Sequence, residues 1–398
     1  MGDHFSHFEN RMVAAGLVEP GDVLMGFLDD ELSWNKEGTD LAFARSLFDN
    51  LSINSLMVSK PAEPYRTIIE YLSSKSLGII HPRDCETRTF LHDLPISGDL
   101  DPIHVADLLK KRKSAIVPGP GIITYGTVSL EQAFVTFSSV CFTCFVKFFS
   151  DYLALHKQGA VDAEMAHVFS KVVGFLPDPI AVGTTLSNGP FETEEAVLAA
   201  MDEAGKMTVS YKLVDSYFGN ISYRLDQTLY ISQTGSSLDY LSGCIDPCSL
   251  DGKSCAAITA SSELSAHLNV IEKTGCRAIL HGHPRFSVIL SMDCDVKDCK
   301  GGDVCYVTCS HKRDVLGIPI VPGEVGTGLF GLCNTVPQAL QNSPSAIVYG
   351  HGLFTISDVD FNEAFHRLHS VENRCREEYF RRVMEGGATC LSPMPSSR

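Results

Sequence analysis

The sequence predicts an α/β sandwich with a mixed, largely antiparallel sheet, present as two tandem related domains of which the first is shortened. Two observations carry this. Short apolar runs that read as strands are interspersed with helical patterns but lack regular βαβ spacing, which favours a sandwich over a wound parallel sheet. In addition, residues 114–149 align without a gap onto residues 345–380 at an offset of 231, with 14 identities in 36 positions. Chance at average composition gives about two or three. Ser114-Ala115-Ile116-Val117 falls on Ser345-Ala346-Ile347-Val348, and Gly119, Gly121, Thr124 and Cys144 fall on Gly350, Gly352, Thr355 and Cys375. A period this long excludes a solenoid.

Composition bounds the function. The 398 residues suffice for two ordinary domains, and 44% hydrophobic with 20% charged residues is normal for a soluble globular protein. With 32 basic against 48 acidic residues the formal net charge is -16, which argues against nucleic acid as the partner. An anionic small substrate would need a local positive site. No secretory signal is expected at Met1–Phe8, and fourteen cysteines then suggest reduced thiols in a cytoplasm. The most apolar run, Ala133–Phe149, is short for a membrane span and contains Ser, Thr and Lys; it reads as a buried helix, so no membrane partner is expected.

In chain order, the first domain is expected over 1–174, ending in a helix from His156 to about Gly174. A Pro- and Gly-rich linker covers 175–192, the second domain 193–386 and a tail 387–398. Helices are expected at about 193–205 and 209–217. Strands follow at Gly219–Arg224 and Thr228–Ile231, a turn at Gln233–Ser237 and a strand at Ala256–Thr259. Residues Glu263–Lys273 have helical periodicity, and Cys276–Leu280 reads as a short buried strand.

That last strand runs into His281-Gly282-His283. Alternate residues of a strand project to one face, so the two imidazoles can meet at one point, although His-x-His also occurs as plain hydrogen-bonded histidines. The second copy of the repeat supplies a third, His351, between Gly350 and Gly352. Three neutral imidazoles with a nearby carboxylate would hold a divalent metal and leave room for a substrate oxygen. In the first copy, a looser match sets Ile79-Ile80-His81-Pro82-Arg83 against His281–Arg285, so Ile79 and Pro120 stand where the second copy has His281 and His351. The first domain is therefore expected to keep the packing and lack the metal ligands.

Five elements in order resemble the class II aldolase/adducin family, typified by zinc-dependent L-fuculose-phosphate aldolase. They are Gly219-Asn220-Ile221-Ser222, Thr234-Gly235, Ser261-Ser262-Glu263 with His267 four residues on, His281-Gly282-His283 and Gly350-His351-Gly352. The resemblance spans roughly 195–386. It implies a class II aldolase-like α/β/α sandwich in which His281, His283 and His351 bind zinc. Glu263 would be the fourth ligand before substrate binds and the acid/base afterwards. It further implies that Asn220, Thr234, Gly235, Ser261 and Ser262 cradle a substrate phosphate, which hydroxyls and backbone N–H groups at tight turns can do without lysine or arginine. A second acid/base, a tyrosine of a neighbouring subunit in the family, matches no particular residue here. Leu264 stands where the aldolases have Trp, which bears on the substrate more than on the metal.

Cys294, Cys299, Cys305 and Cys309 fall within sixteen residues at spacings that fit no common motif. A second, structural metal, disulfides and free thiols all stay open, and Cys244, Cys248 and Cys255 could join them. The expected function is a cytoplasmic, homo-oligomeric (dimer or tetramer) zinc-dependent lyase that reversibly cleaves a phosphorylated ketose in an aldol reaction. Alternatives are a dehydratase or decarboxylase on a sugar or sugar-acid phosphate, and a non-catalytic adducin-like interaction protein.

Overall fold

The computed structural model describes residues 2–385 except 39–40, 184, 215–216, 252–257, 297–298, 300–303, 310 and 325–327. The 387–398 tail, Cys255 and half of the strand expected at 256–259 lie outside the described residues. Two units separate, one of Met1–Phe149 with Asp162–Asp178 and one of Ser150–Val161 with Pro179–Arg398.

The first unit opens with α1 (Gly2–Ala14), β1 (Leu24–Leu28), β2 (Leu32–Trp34), α2 (Leu41–Asn50) and β3 (Ser55–Ser59). It continues with α3 (Tyr65–Lys75), β4 (Ile79–Ile80), α4 (Cys85–Leu91), β5 (Leu94–Pro95), α5 (Pro102–Leu109), β6 (Ser114–Val117) and β7 (Gly121–Gly126). Helix α6 (Leu130–Lys157) belongs to it as far as Phe149, and α7 (Ala163–Gly174) closes it. Its five-stranded sheet has the order β2-β1-β3-β7-β6, every neighbour antiparallel. Leu24, Leu56, Val58, Ala115, Val117 and Ile123 line one face and pack with Ala44 and Leu47 of α2 and Val105, Ala106 and Leu109 of α5.

The second unit follows with α8 (Glu194–Ser210), β8 (Asn220–Leu225), β9 (Thr228–Ser232), β10 (Ile245–Ser249), α9 (Leu264–Thr274), β11 (Ala278–Gly282) and α10 (Arg285–Met292). It ends with β12 (Arg313–Val315), β13 (Ile318–Val321), α11 (Leu332–Leu340), β14 (Ser345–Val348), β15 (Gly352–Ser357) and α12 (Phe361–Glu385). The eight strands run β10-β9-β8-β11-β15-β14-β13-β12, antiparallel except for the parallel β13–β14 pair, so the sheet is mixed and largely antiparallel. Side-chain alternation divides its faces. Ile279, Ala346, Val348, Phe354 and Ile356 pack with Ala266, Val270 and Ile271 of α9 and Val336 and Leu340 of α11. Helices α8, α10 and α12 pack against the strands as well. On the face opposite Phe354, the Thr355 hydroxyl donates to the Ala364 carbonyl of α12 at 2.9 Å.

The central five strands of this sheet, β9-β8-β11-β15-β14, repeat the order and antiparallel pairing of the first unit's sheet. Registers agree: Leu24 pairs with Val58 as Asn220 pairs with His281, and Ala115 pairs with Ile123 as Ala346 pairs with Phe354. The first unit's Thr124 hydroxyl donates to Ala133 at 2.8 Å, matching Thr355 and Ala364. By this register β3, not β4, is the counterpart of β11. Strand β4 pairs only with β5 in a separate two-stranded sheet, so the expected match of Ile79 to His281 does not hold. Val58 occupies the position of His281 and Lys60 that of His283, while Pro120 remains opposite His351.

Three element boundaries differ from expectation. Gly159, at φ +63°, ends α6 before α7, so 156–174 is not one helix. Helix α8 runs on to Ser210, and residues 211–214 are turn where a second helix was expected, with Lys212 in the left-handed region at φ +57°. The β10, β12 and β13 strands were not foreseen. The apolar run 133–149 lies in α6, which is long and apolar enough to cross a membrane; 89% of its most apolar window is buried inside the protein, as in a core helix.

Thr355→Val and Thr124→Val each remove a buried hydroxyl donor at equivalent positions. Each is expected to lower the unfolding free energy by about 1–2 kcal/mol, read from urea denaturation, and a cost in only one of them would contradict the equivalence.

Candidate metal centre

The sheet delivers the three histidines from neighbouring strands. His281 lies in β11 opposite Asn220 of β8 and Phe354 of β15, and His283 follows just past the strand on the same face. His351 sits in the turn between β14 and β15, its N–H donating to the Val348 carbonyl at 3.1 Å. All three are buried, with exposures of 0, 4 and 4%. Gly352 lets them approach: a Cβ there would lie 2.5 Å from the Gly282 carbonyl oxygen and 2.7 Å from His281 Cε1.

One coordinating atom from each imidazole lies within 4.8 Å of the others, the only such group of three or more candidate metal donors among the described residues. His281 donates from Nδ1 to the Leu353 carbonyl at 3.2 Å, which leaves its Nε2 as a bare lone pair. Phe354 stacks on its ring at 3.9 Å between centroids. His283 Nε2 lies 3.0 Å from His281 Nε2, a spacing at which the two nitrogens must share a proton or a cation. Ligands about 2.0–2.1 Å from a tetrahedral zinc are about 3.3 Å apart, so the donor set fits. Glu263 completes it, with Oε2 3.6 Å from His281 Nε2 and Oε1 3.4 Å from His351 Nε2.

Glu263 stands at the cap position of α9, but its carboxylate turns away from the helix, making no cap hydrogen bond. The Ser261 hydroxyl accepts from its backbone N–H at 3.3 Å. Burial pushes the His281 imidazole down to about 4 and His283 well below the usual histidine range, so both stay neutral, as metal ligands must. Burial also pushes Glu263 upward, but His281, His351 and the Asn220 hydrogen bond outweigh it and hold the carboxyl below its usual value.

The sequence profile described as Class II Aldolase and Adducin N-terminal domain matches residues 199–379. Over these residues the chain resembles the class II aldolase/adducin family. Solved structures similar to it include L-fuculose-1-phosphate aldolase from Thermus thermophilus, at 22% identity, covering 50% of this chain and 100% of that one, TM-score 0.41. YgbL from Escherichia coli, a putative aldolase/epimerase/decarboxylase, is 16% identical over 48% of this chain and 98% of that one, TM-score 0.37. A sugar-phosphate aldolase from Thermotoga maritima is 17% identical over 49% and 98%, TM-score 0.36. No curated protein matches the sequence.

The residues that the family resemblance assigns to phosphate lie near the histidine cluster, on segments joined to the one that carries Glu263. Gln233 bridges to Ala260, Thr234 N donates to Thr259 O, and Ser261 N to Ser232 O, which joins the Thr234-Gly235 turn to the segment carrying Ser261 and Ser262. Thr234 and Ser261 are partly occupied, the former donating from its hydroxyl to Ala260 O at 3.0 Å. Ser262 is exposed and Gly235, at φ +73°, has open space about it. Asn220 is different: Nδ2 donates to Glu263 Oε2 at 2.8 Å, and Oδ1 accepts from His267 Nε2 at 2.5 Å. Both ends of its amide are engaged inside the protein.

Sequence reasoning missed Ser222, whose hydroxyl meets His267 Nδ1 at 2.7 Å, and Glu372 of α12. The Glu372 carboxylate accepts from Phe286 N, Ser287 N and the Ser287 hydroxyl at 2.8–2.9 Å, anchoring the start of α10 just after His283. Burial raises its carboxyl even against these donors. Period-two spacing from Asn220 could have flagged Ser222; nothing local flags Glu372. The twelve described cysteines form no disulfide, and Cys294, Cys299, Cys305 and Cys309 are not among the groups of candidate metal donors in the described residues.

Gly352→Ala is expected to displace the imidazoles and weaken zinc affinity at least about 10-fold, measured by competition with a chelating dye; unchanged affinity would mean that the close approach is unimportant. His267, pushed to about 4 by burial, and His281 stay neutral in the folded protein where unfolded histidines near 6.5 take up protons. The unfolded state then binds more protons, so metal-free stability should fall as pH drops from 6.5 towards 4, by on the order of a few kcal/mol. A urea midpoint that stayed level over that range would count against buried neutral imidazoles.

Proposed function

We propose that the second unit is a metal-dependent lyase that reversibly cleaves a carbon–carbon bond of a phosphorylated ketose by an aldol mechanism. The observation that carries this is the convergence of three buried imidazole nitrogens on one point with the Glu263 carboxylate 3.4–3.6 Å away. A site built only for packing would bury apolar groups there, because each buried polar side chain costs free energy unless it is paired.

His281, His283 and His351 would hold a divalent cation, zinc foremost. When bound, the cation supplies positive charge that stabilises the oxyanion developing as the bond breaks. Thr234, Gly235, Ser261 and Ser262 would bind the phosphate through hydroxyls and backbone N–H groups and so fix the sugar's orientation, while Asn220, the fifth residue of the motif set, is held between Glu263 and His267. Glu263 would remove a proton from the carbon beside the carbonyl in the synthetic direction and return it in cleavage.

The first unit is, in this reading, a degenerate relative of the same domain. Val58, Lys60 and Pro120 stand where the imidazoles would be, so it serves packing or contacts rather than catalysis. The two-domain chain would work as a homo-oligomer, and its free thiols suit a reducing, cytoplasmic setting.

Zinc-loaded protein screened against phosphorylated ketoses and sugar acids, with aldehyde release as the readout, tests the reaction. Glu263→Gln should retain stoichiometric metal and lose about 10²–10⁴-fold in turnover, while His351→Ala should lose the metal. Full activity in the first variant or full metal content in the second would refute the assignment.

A further inference from the structure

We infer that Ser222, His267 and Asn220 form a one-way hydrogen-bond chain that positions the Glu263 carboxylate, pinning Oε2 and leaving Oε1 as the oxygen that carries the proton. The inference takes from the preceding reading only that Glu263 is the working carboxylate.

Direction follows from what each group can donate. A carboxylate only accepts, so Asn220 must turn its NH₂ towards Glu263, at 2.8 Å. Its Oδ1 then faces His267 Nε2 at 2.5 Å and requires a proton there. A neutral imidazole protonated at Nε2 is bare at Nδ1, and that nitrogen must accept the Ser222 hydroxyl at 2.7 Å. Glu263 thus sets the orientation of the Asn220 amide and, through it, the tautomer of His267, while the Ser222 hydroxyl, which can donate or accept, satisfies the nitrogen left bare. Without His267 the amide could rotate by half a turn and present its oxygen to the carboxylate. Exposures of 0% for Ser222 and His267, 6% for Asn220 and 5% for Glu263 leave little access for water to substitute for a missing partner.

Glu263 Oε1 makes no hydrogen bond with Asn220 and faces His351 Nε2 at 3.4 Å. One oxygen is therefore fixed and the other turned into the centre, which defines the position of a proton carrier without immobilising both oxygens.

The first unit indicates that the fold itself does not require this chain. By strand register, Leu24 stands at the position of Asn220 and Gly26 at that of Ser222. Counting back eleven residues from β3 and from β11 sets Ala44 against His267. Leu24, Ala44 and Val58 all belong to one apolar cluster, so the same strand order forms with no polar residue at these places. The chain and the imidazoles are absent together.

Two measurements test the inference. Histidine-labelled protein, with the His267 signal assigned by its loss in His267→Gln, should show His267 as the Nε2–H tautomer by long-range ¹H–¹⁵N NMR. This requires no substrate, so it decides the chain even if no phosphorylated ketose is turned over. In the active enzyme, His267→Phe should keep its metal and lower kcat about 10–100-fold with KM nearly unchanged. His267→Gln, whose amide can donate to Asn220 and accept from Ser222, should restore most of the loss. If His267→Phe fails to fold, Asn220→Leu, which places there the residue that the first unit has at the same register, gives the second reading, with a mixture of His267 tautomers expected. An Nδ1–H tautomer in the wild-type protein, a single unchanged tautomer in Asn220→Leu, or wild-type kcat in His267→Phe would overturn the proposal.

Discussion

Burial of titratable groups is the constraint on which this structure depends. His267, His281, His283, His351 and Glu263 all lie at or below 5% exposure, where an unpaired polar atom is costly. Three of them have a hydrogen-bond partner from a different element: the Leu353 carbonyl for His281, the Asn220 amide for Glu263, the Ser222 hydroxyl for His267. These partners exist only because β8, β11 and β15 are adjacent in the sheet and α9 packs across the same face. Tertiary structure thus fixes the protonation state of the site as well as its shape, and neutral imidazoles are the form that binds a cation.

The two units show what happens when that requirement is removed. Both have the same five-strand order, matching registers and a buried threonine hydroxyl donating to the following helix. In the first, apolar side chains occupy one face of the sheet continuously. In the second, that face changes along β11 from Ile279, packed in the core, to His281 two residues later. Apolar packing therefore suffices to build the architecture, and the polar constellation is an addition to it.

Much of the second unit was legible in the sequence because its signals are local. The helical period over 263–273, the short apolar strand after it and the His-x-His spacing depend on nearby residues only. So did the ungapped repeat, whose halves fold as matching strand–strand–helix segments. Other features depend on distant approach. The counterpart of His281 in the first unit was misplaced at Ile79 because residue identity there has faded and only the pairing of β3 with β7 reveals the match. Asn220 was read as a phosphate ligand from its motif, whereas its engagement between Glu263 and His267 depends on how β8 meets α9. Edge strands β10 and β12, and β13 next to the latter, gain their regularity from neighbours more than from their own composition.

Glu372 gives the last ligand pair a long reach along the polymer. His283 lies beyond the end of its strand, and the helix that follows it is tied at its first turn by a carboxylate from α12, well after His351. A truncated fragment ending just after the third imidazole would contain every candidate ligand and yet lack the tether that settles one of them. Shortening the chain from that end would remove this tether before it reached any of the candidate ligands.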